Sequence, residues 1–500
     1  MFRRAVCLLL VFAFAVQLAH AAPPKATPSA EPPANAEHWK GTIALPGLEL
    51  TFTVHFTKDE AAPGGWAATL DIPMQGVTGA KMNDVVYNEK ELAFTFAVPG
   101  NPIFKGAIDE GGRTASGTLT QAGQTFPVTF TKQTDEEAAA DTPKRPQMPQ
   151  PPFPYEAREV KFRNEIDGID IAGTLTIPAG AGPFPAVVMI TGSGPQDRDE
   201  SLMGHKPFWV IADHLSRNGI AVLRCDDRGI GGTGGNVMQA TSENFALDAL
   251  AGVAHLKTID RVDGAWIGMM GHSEGGIVAP LAAVQSKDVA FIVLLAGTGL
   301  PGEEILRLQT RLLMAATGLF SDERLDEMAE KHAALTKAIM SDAPQDEQME
   351  AMKALMRVQL GQDDAAMDEN AMGLAAMQQI AQMRSPWFRF FLSHDPRPAL
   401  RKVACPVLAL NGSLDLQVPA EEDLAEIGKA LTEAGNRDFT ITKLEGLNHL
   451  FQHATTGSPA EYMTIEETIA PEVLDLITKW IQQRFGASGG EGAPVPAQAQ

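Results

Sequence analysis

Ser273, Asp415 and His449 have the residue types needed for nucleophilic acyl transfer, and they occur in the order Ser, acid, His. Ser273 lies at the centre of Gly271-His272-Ser273-Glu274-Gly275, a G-x-S-x-G pentapeptide. A Ser hydroxyl is a weak nucleophile at neutral pH, so it needs an adjacent base. His449 is placed to take the Ser273 proton during attack and return it to the leaving group, and Asp415 to fix the tautomer of His449 and stabilise its imidazolium. The tetrahedral intermediate also needs donors for its oxyanion. The backbone N–H of Glu274, the residue after the nucleophile, is one. Ser193 N–H, in Thr191-Gly192-Ser193-Gly194-Pro195, is the expected second, with Gly192 or Gly194 as alternatives. Loss of one such donor typically costs about 3 kcal/mol of transition-state stabilisation.

The local patterns around these residues predict how they are positioned. Ala265–Met270 is a short apolar run that reads as a buried strand, and Gly276–Ala283 reads as the start of a packed helix. Strand, sharp turn and helix are what a nucleophile elbow requires, and flanking glycines relieve the crowding of such a turn. Pro406–Leu410 is a buried-strand pattern running into the loop with Asp415, and Phe439–Leu444 is another that leads to His449. Pro185–Ile190 precedes the Gly192-Ser193-Gly194 loop. All the candidates thus sit at carboxyl ends of predicted strands, where open α/β sheets place their ligands.

Each residue has a competing reading. Ser273 has an alternative as an ordinary turn serine. Asp423, on the next predicted helix, competes with Asp415 and reads as a solvated charge. His453 competes with His449, but His449 follows directly from the strand end. His272 reads as structural, and Glu274 as contributing its N–H rather than its carboxylate. Asp226 and Arg228 read as a buried ion pair bracing a loop. Asp197-Arg198-Asp199-Glu200 either borders the substrate or braces its own loop.

The chain has 500 residues, too many for one compact core, which predicts two domains with appendages. A formal net charge of −22 argues against nucleic acid or anionic membrane as partner. Arg3-Arg4, the apolar run Val6–Leu18 and Ala19-His20-Ala21 read as a signal peptide cut after Ala21, so export to a periplasm or beyond is expected, with no stable membrane insertion afterwards. Cys225 and Cys405 then remain, too few for a disulfide framework, and read as buried free thiols.

Residues 37–132 show period-two alternation with regular turn signals, which predicts an antiparallel meander, a sandwich or a small barrel. This domain carries no catalytic pattern; it reads as a structural or dimerising module, with a homodimer as one expectation, or as a ligand-binding or substrate-restricting domain. Residues 133–155 are proline-rich and predict an extended, semi-rigid linker. The hydrolase-like domain is expected over 156–486, and the Gly/Ala/Pro/Gln tail 487–500 as disordered. Within it, about 302–398 forms a helical insert carrying ten of the twenty Met residues. A cap over Ser273 is expected, with its Met residues either packing helices together or lining an adaptable apolar pocket. Pro386–Phe391 ends the insert, and Trp387 and Phe388 are its candidate pocket residues, with Gly192 and Gly194 on the opposite rim.

Thr191–Asp199, Asp226-Asp227-Arg228-Gly229, Gly271–Gly276 and Asn448–Gln452 together resemble the EstD-type carboxylesterases of the α/β-hydrolase superfamily, often grouped with serine aminopeptidase-like hydrolases. The resemblance covers roughly residues 156–486 and not the N-terminal third. It implies a mostly parallel sheet flanked by helices, an esterase acting on short acyl esters as small-molecule substrate, no metal or organic cofactor, and Ser273, Asp415 and His449 as the triad. The alternatives are an aminopeptidase or amidase using the same triad, and a non-catalytic binding protein on a hydrolase scaffold.

Overall fold

The computed structural model describes residues 36–45, 48–72, 77–96, 102–121, 124–141, 144–360 and 369–486. The expected signal peptide, the Pro/Ala-rich stretch after it, Met367 and the C-terminal tail lie outside the described residues.

Eight strands form the N-terminal domain: β1 (Glu37–Leu45), β2 (Leu48–Lys58), β3 (Trp66–Ile72), β4 (Val77–Tyr87), β5 (Glu91–Phe96), β6 (Ile103–Ile108), β7 (Thr114–Gln121) and β8 (Gln124–Gln133). Of the three expected forms, it is the barrel: all neighbours pair antiparallel, and β1 closes on β8. Alternation sets the inside and outside: Phe52, Val54 and Phe56 are buried, and Thr51, Thr53 and Thr57 on the other face are half-buried, with His55 on that face buried as well. Aromatic rings fill the interior; Phe104 and Phe130 meet edge-on with centroids 4.7 Å apart.

The linker differs from its extended expectation in two ways. A short helix, α1 (Asp135–Asp141), forms because Thr134 and Glu137 make a reciprocal capping box: Thr134 N–H donates to Glu137 Oε2 at 2.8 Å, and Glu137 N–H to the Thr134 hydroxyl at 3.2 Å. Farther on, the linker is docked. The Arg145 guanidinium donates to the carbonyls of Met203, Met463 and Ile465 at 2.8–3.0 Å. The Gln147 side chain bonds both to Ile469 O and to Thr468 N–H.

The second domain runs β9 (Tyr155–Asn164), β10 (Ile169–Pro178), β11 (Phe184–Ile190), α2 (Pro207–Arg217), β12 (Ala221–Cys225), α3 (Ser242–Leu256), β13 (Val262–His272), α4 (Gly275–Ala283) and β14 (Ile292–Leu295). Five helices of the insert follow: α5 (Gly302–Ala316), α6 (Asp322–Met340), α7 (Gln345–Leu360), α8 (Glu369–Met383) and α9 (Pro386–Ser393). Then come α10 (Arg397–Leu400), β15 (Val407–Gly412), α11 (Ala420–Glu433), β16 (Phe439–Leu444) and α12 (Pro471–Phe485). The sheet order is β16-β15-β14-β13-β11-β12-β10-β9. It is antiparallel from β9 through β10 to β12 and parallel from β12 to β16.

The central strands read as unbroken apolar runs because both faces are covered. Ala186, Val188, Val407 and Ala409 belong to the core on one face, and Val187, Met189, Leu408 and Leu410 to the core on the other. The insert has a core of its own. Met314, Met328, Met352, Met356, Met372 and Met383 pack there with Leu335 and Ile339, so the helix-packing reading describes most of these Met residues. Met377 is exposed. Cys225 and Cys405 are free thiols. No helix among the described residues is long and apolar enough to cross a membrane.

Candidate active site

β13 ends at His272, and the chain turns so sharply that Ser273 has φ = 53°, a left-handed conformation strained for any residue with a side chain. The turn is held by Ser273 N–H donating to Leu295 O on β14 at 2.8 Å. The flanking glycines are needed for space. A Cβ on Gly271 would lie 2.0 Å from Gly275 O, and one on Gly275 would lie 2.3 Å from Ile190 O on β11.

The loop after β15 carries Asp415, which is buried. Its Oδ1 accepts from the N–H groups of Gln417 and Val418 at 2.7 and 2.9 Å. Its Oδ2 accepts from His449 Nδ1 at 2.7 Å. That contact puts the His449 proton on Nδ1 and leaves Nε2 as a lone-pair acceptor. The His449 loop, after β16, is braced by Asn448, whose Oδ1 accepts from Leu450 N–H and Gln452 N–H at 3.0 Å. His453, the competing histidine, faces the surface and pairs with Glu467 and Glu472.

His272 is structural in a specific sense: it ties three loops together. Its Nε2 donates to His449 O at 3.0 Å, and its Nδ1 donates to Glu200 Oε1 at 2.9 Å. Burial opposes a charge on this ring, but the Glu200 carboxylate outweighs it and the His272 pKa is raised. Glu200 Oε1 also accepts from Gly192 N–H at 2.8 Å. Gly192 N–H is therefore committed to Glu200, which removes it as an alternative oxyanion donor. The N–H groups of Ser193 and Glu274 have no acceptor among the described residues.

Gly192, Ser193, Ser273, Glu274, His449, Trp387 and Phe388 all border one cavity of about 190 Å³ between the sheet and the insert. Gly194, with φ = 90°, is outside its lining. The insert is thus a cap. Glu274 contributes more than the expected N–H: its buried carboxylate accepts from Ser242 Oγ at 2.7 Å and from Trp387 Nε1 at 3.0 Å to each oxygen. Burial raises its pKa, and the bonds from Ser242, Trp387 and the Ser193 side chain partly offset this.

Two other expectations are corrected. Asp423 is not a solvated charge but fully buried, with Oδ1 accepting from Gly299 and Leu300 N–H at 2.6 and 3.1 Å, because its helix start packs under the loop after β14. Burial pushes its carboxyl up to about 7. Asp226 and Arg228 do not pair with each other. Asp226 is held by Arg198 at 2.7 Å, and Arg228 bridges Asp167 and Asp248 at 2.5 and 2.6 Å. The Asp197–Glu200 segment divides: Asp197 caps Asp199 and Ser201 N–H within its own loop, whereas Glu200 reaches the cavity. Tyr462 and His332, which also line the cavity, stand in no motif and carried no sequence signal.

This sheet, with a strained serine at one strand end and the Asp415–His449 pair on later strand-end loops, has the architecture of the α/β-hydrolase fold. The family described as X-Pro dipeptidyl-peptidase (S15 family) matches residues 167–453, and the chain belongs to it. Esterase EstD of Thermotoga maritima is 29% identical over 312 residues, a match covering 62% of this chain and 65% of that protein, so it spans less than two thirds of the relative's length. Among solved structures, the α/β hydrolase GrgF from Penicillium sp. sh18 is 18% identical with a TM-score of 0.41, over 66% of this chain and 99% of that one. The Pyrococcus furiosus esterase Pf2001 is 14% identical with a TM-score of 0.40, over 69% and 98%.

Proposed function

We propose that the protein is a serine carboxylesterase acting on short-chain esters through Ser273, His449 and Asp415. The observation that carries this reading is the Asp415–His449 hydrogen bond beside a cavity that also contains Ser273 on its strained turn. In this mechanism His449 Nε2 removes the Ser273 proton as Oγ attacks the ester carbonyl. The resulting oxyanion accepts from the N–H groups of Glu274 and Ser193. His449 then protonates the departing alcohol, and water attacks the acyl-enzyme by the same steps in reverse. The EstD relative supports an ester as substrate.

An aminopeptidase or amidase is the second reading, favoured by the family match. Ester and amide hydrolysis share this machinery, and pocket contacts decide between them. Parallel assays with short p-nitrophenyl esters and aminoacyl anilides test the choice, with Ser273→Ala as control. Faster turnover of the esters is expected; faster turnover of the anilides would overturn the esterase reading. If folded protein failed to label at Ser273 with a fluorophosphonate, a non-catalytic binding role would replace both. Export is part of the proposal, and the mass of the mature N-terminus should correspond to cleavage after Ala21.

A further inference from the structure

The inner wall of the cavity is mostly apolar, built from Leu335, Met352, Leu355 and Met383 on the cap helices. Several polar side chains interrupt it, among them Gln379, Thr298 and His332. Gln379 on α8 lines the cavity with its Oε1 buried and accepting no hydrogen bond. Thr298, on the loop after β14, is 4% exposed, and its hydroxyl has no partner. His332 on α6 is buried against the same space. Desolvation pulls the His332 pKa down to about 4, so at neutral pH one ring nitrogen donates and the other accepts.

An unpaired buried polar group costs about 1–3 kcal/mol, and a pocket made for hydrocarbon has no use for those of Gln379 and Thr298. A ligand that bonds to them removes that cost. The charge balance narrows its chemistry. No Lys or Arg is among the described lining residues, which disfavours an anionic group. The lining carboxylates are engaged elsewhere, Glu200 by His272 and Gly192, and Glu274 by Trp387 and Ser242, which disfavours a cation. A neutral group that both donates and accepts fits an amide oxygen, a hydroxyl and a neutral imidazole; a hydroxyl is such a group.

We propose that the arm of the substrate lying beneath the cap bears hydroxyl groups, recognised by Gln379 and His332, rather than being plain hydrocarbon. This rests on the esterase reading and narrows its substrate class. Sites built to bond a hydroxyl discriminate strongly against analogues that lack it, because their own polar groups are then left unpaired.

The test walks a hydroxyl along each arm in turn: ethyl octanoate against ethyl hydroxyoctanoates, and octyl butyrate against monobutyrates of octanediols, with hydrolysis followed by titration of released acid. At least one hydroxylated ester is expected to exceed its plain counterpart in kcat/KM by about tenfold or more. Gln379→Leu and His332→Leu should each reduce the ratio of kcat/KM for the hydroxylated ester over its plain counterpart. Wild-type enzyme that prefers every plain ester, or a preference that survives in both variants, overturns the inference. Calorimetric binding of the same esters to Ser273→Ala separates it from the mechanism. Hydroxyl-dependent binding without wild-type turnover refutes the esterase reading but shows that the cavity recognises a hydroxylated ligand; turnover without hydroxyl preference refutes only the hydroxyl inference.

Discussion

The indole Nε1 of Trp387 donates to both carboxylate oxygens of Glu274, at 3.0 Å each. One partner belongs to α9 of the cap and the other adjoins Ser273, so the roof of the cavity is latched to the turn that carries the nucleophile. The latch is buried, and its removal leaves the Glu274 carboxylate with one donor fewer in a place where water is scarce. Trp387→Phe keeps an aromatic ring but deletes the N–H. We expect it to lower stability by about 1–3 kcal/mol and to make the cap, residues 302–394, more susceptible to limited proteolysis. Unchanged melting and unchanged cleavage of the cap would show that the latch carries no load.

Asp415→Asn retains size and packing but holds His449 in the wrong tautomer. A loss of about 10⁴ in kcat is expected, with a similar or larger loss for Ser273→Ala, and little change in melting temperature for the serine variant. Ester turnover within tenfold of wild type in either variant contradicts the assigned roles.

Trp387→Ala combined with Phe388→Ala enlarges the cavity next to Ser273, since both rings line it. The ratio of kcat/KM values for butyrate and octanoate esters should shift toward the longer chain. An unaltered ratio would remove these residues from the acyl or alcohol pocket.

Gly275→Ala is expected to abolish activity and to cost several kcal/mol, because the new Cβ would meet Ile190 O at 2.3 Å and the backbone must move. Urea denaturation and fluorophosphonate labelling measure the two effects; normal labelling in a stable variant would show that the elbow tolerates the shift.

Asp423 gives the stability of the fold a pH dependence. Its carboxyl titrates at about 7 when folded, against 3.8 as the ordinary value. Between these pH values the folded protein keeps a proton that the unfolded chain has released. Its contribution is therefore full below about pH 4, is lost as the pH rises towards 7, and is constant above. The span corresponds to roughly 4 kcal/mol. Asp423→Asn keeps an acceptor for Gly299 and Leu300 N–H but does not titrate. Urea unfolding at pH 5 and pH 8 should show a smaller loss in the variant than in wild type. Equal losses would mean that Asp423 is ionised in the folded state.

Much of this molecule was legible along the chain, because its determinants are local. Apolar runs of strand length, alternation in the first domain and a glycine on each side of Ser273 reflect backbone sterics and two-faced or one-faced burial, which neighbouring residues decide among themselves. The order of Ser273, Asp415 and His449 and their positions at strand ends followed from the same patterns. Closure of the eight strands into a barrel did not, since it depends on β1 meeting β8 across nearly a hundred residues.

Partnership between charges was decided only in three dimensions. Asp226 chose Arg198 over Arg228, Asp423 was drawn inside by the loop after β14, and Glu274 gained Trp387 from a helix 113 residues away. Hydrogen bonds and ion pairs act over a few ångströms between side chains that the chain alone does not bring together. The same holds for the space above Ser273, whose polar lining from Gln379 and His332 exists only once the cap is folded over the sheet.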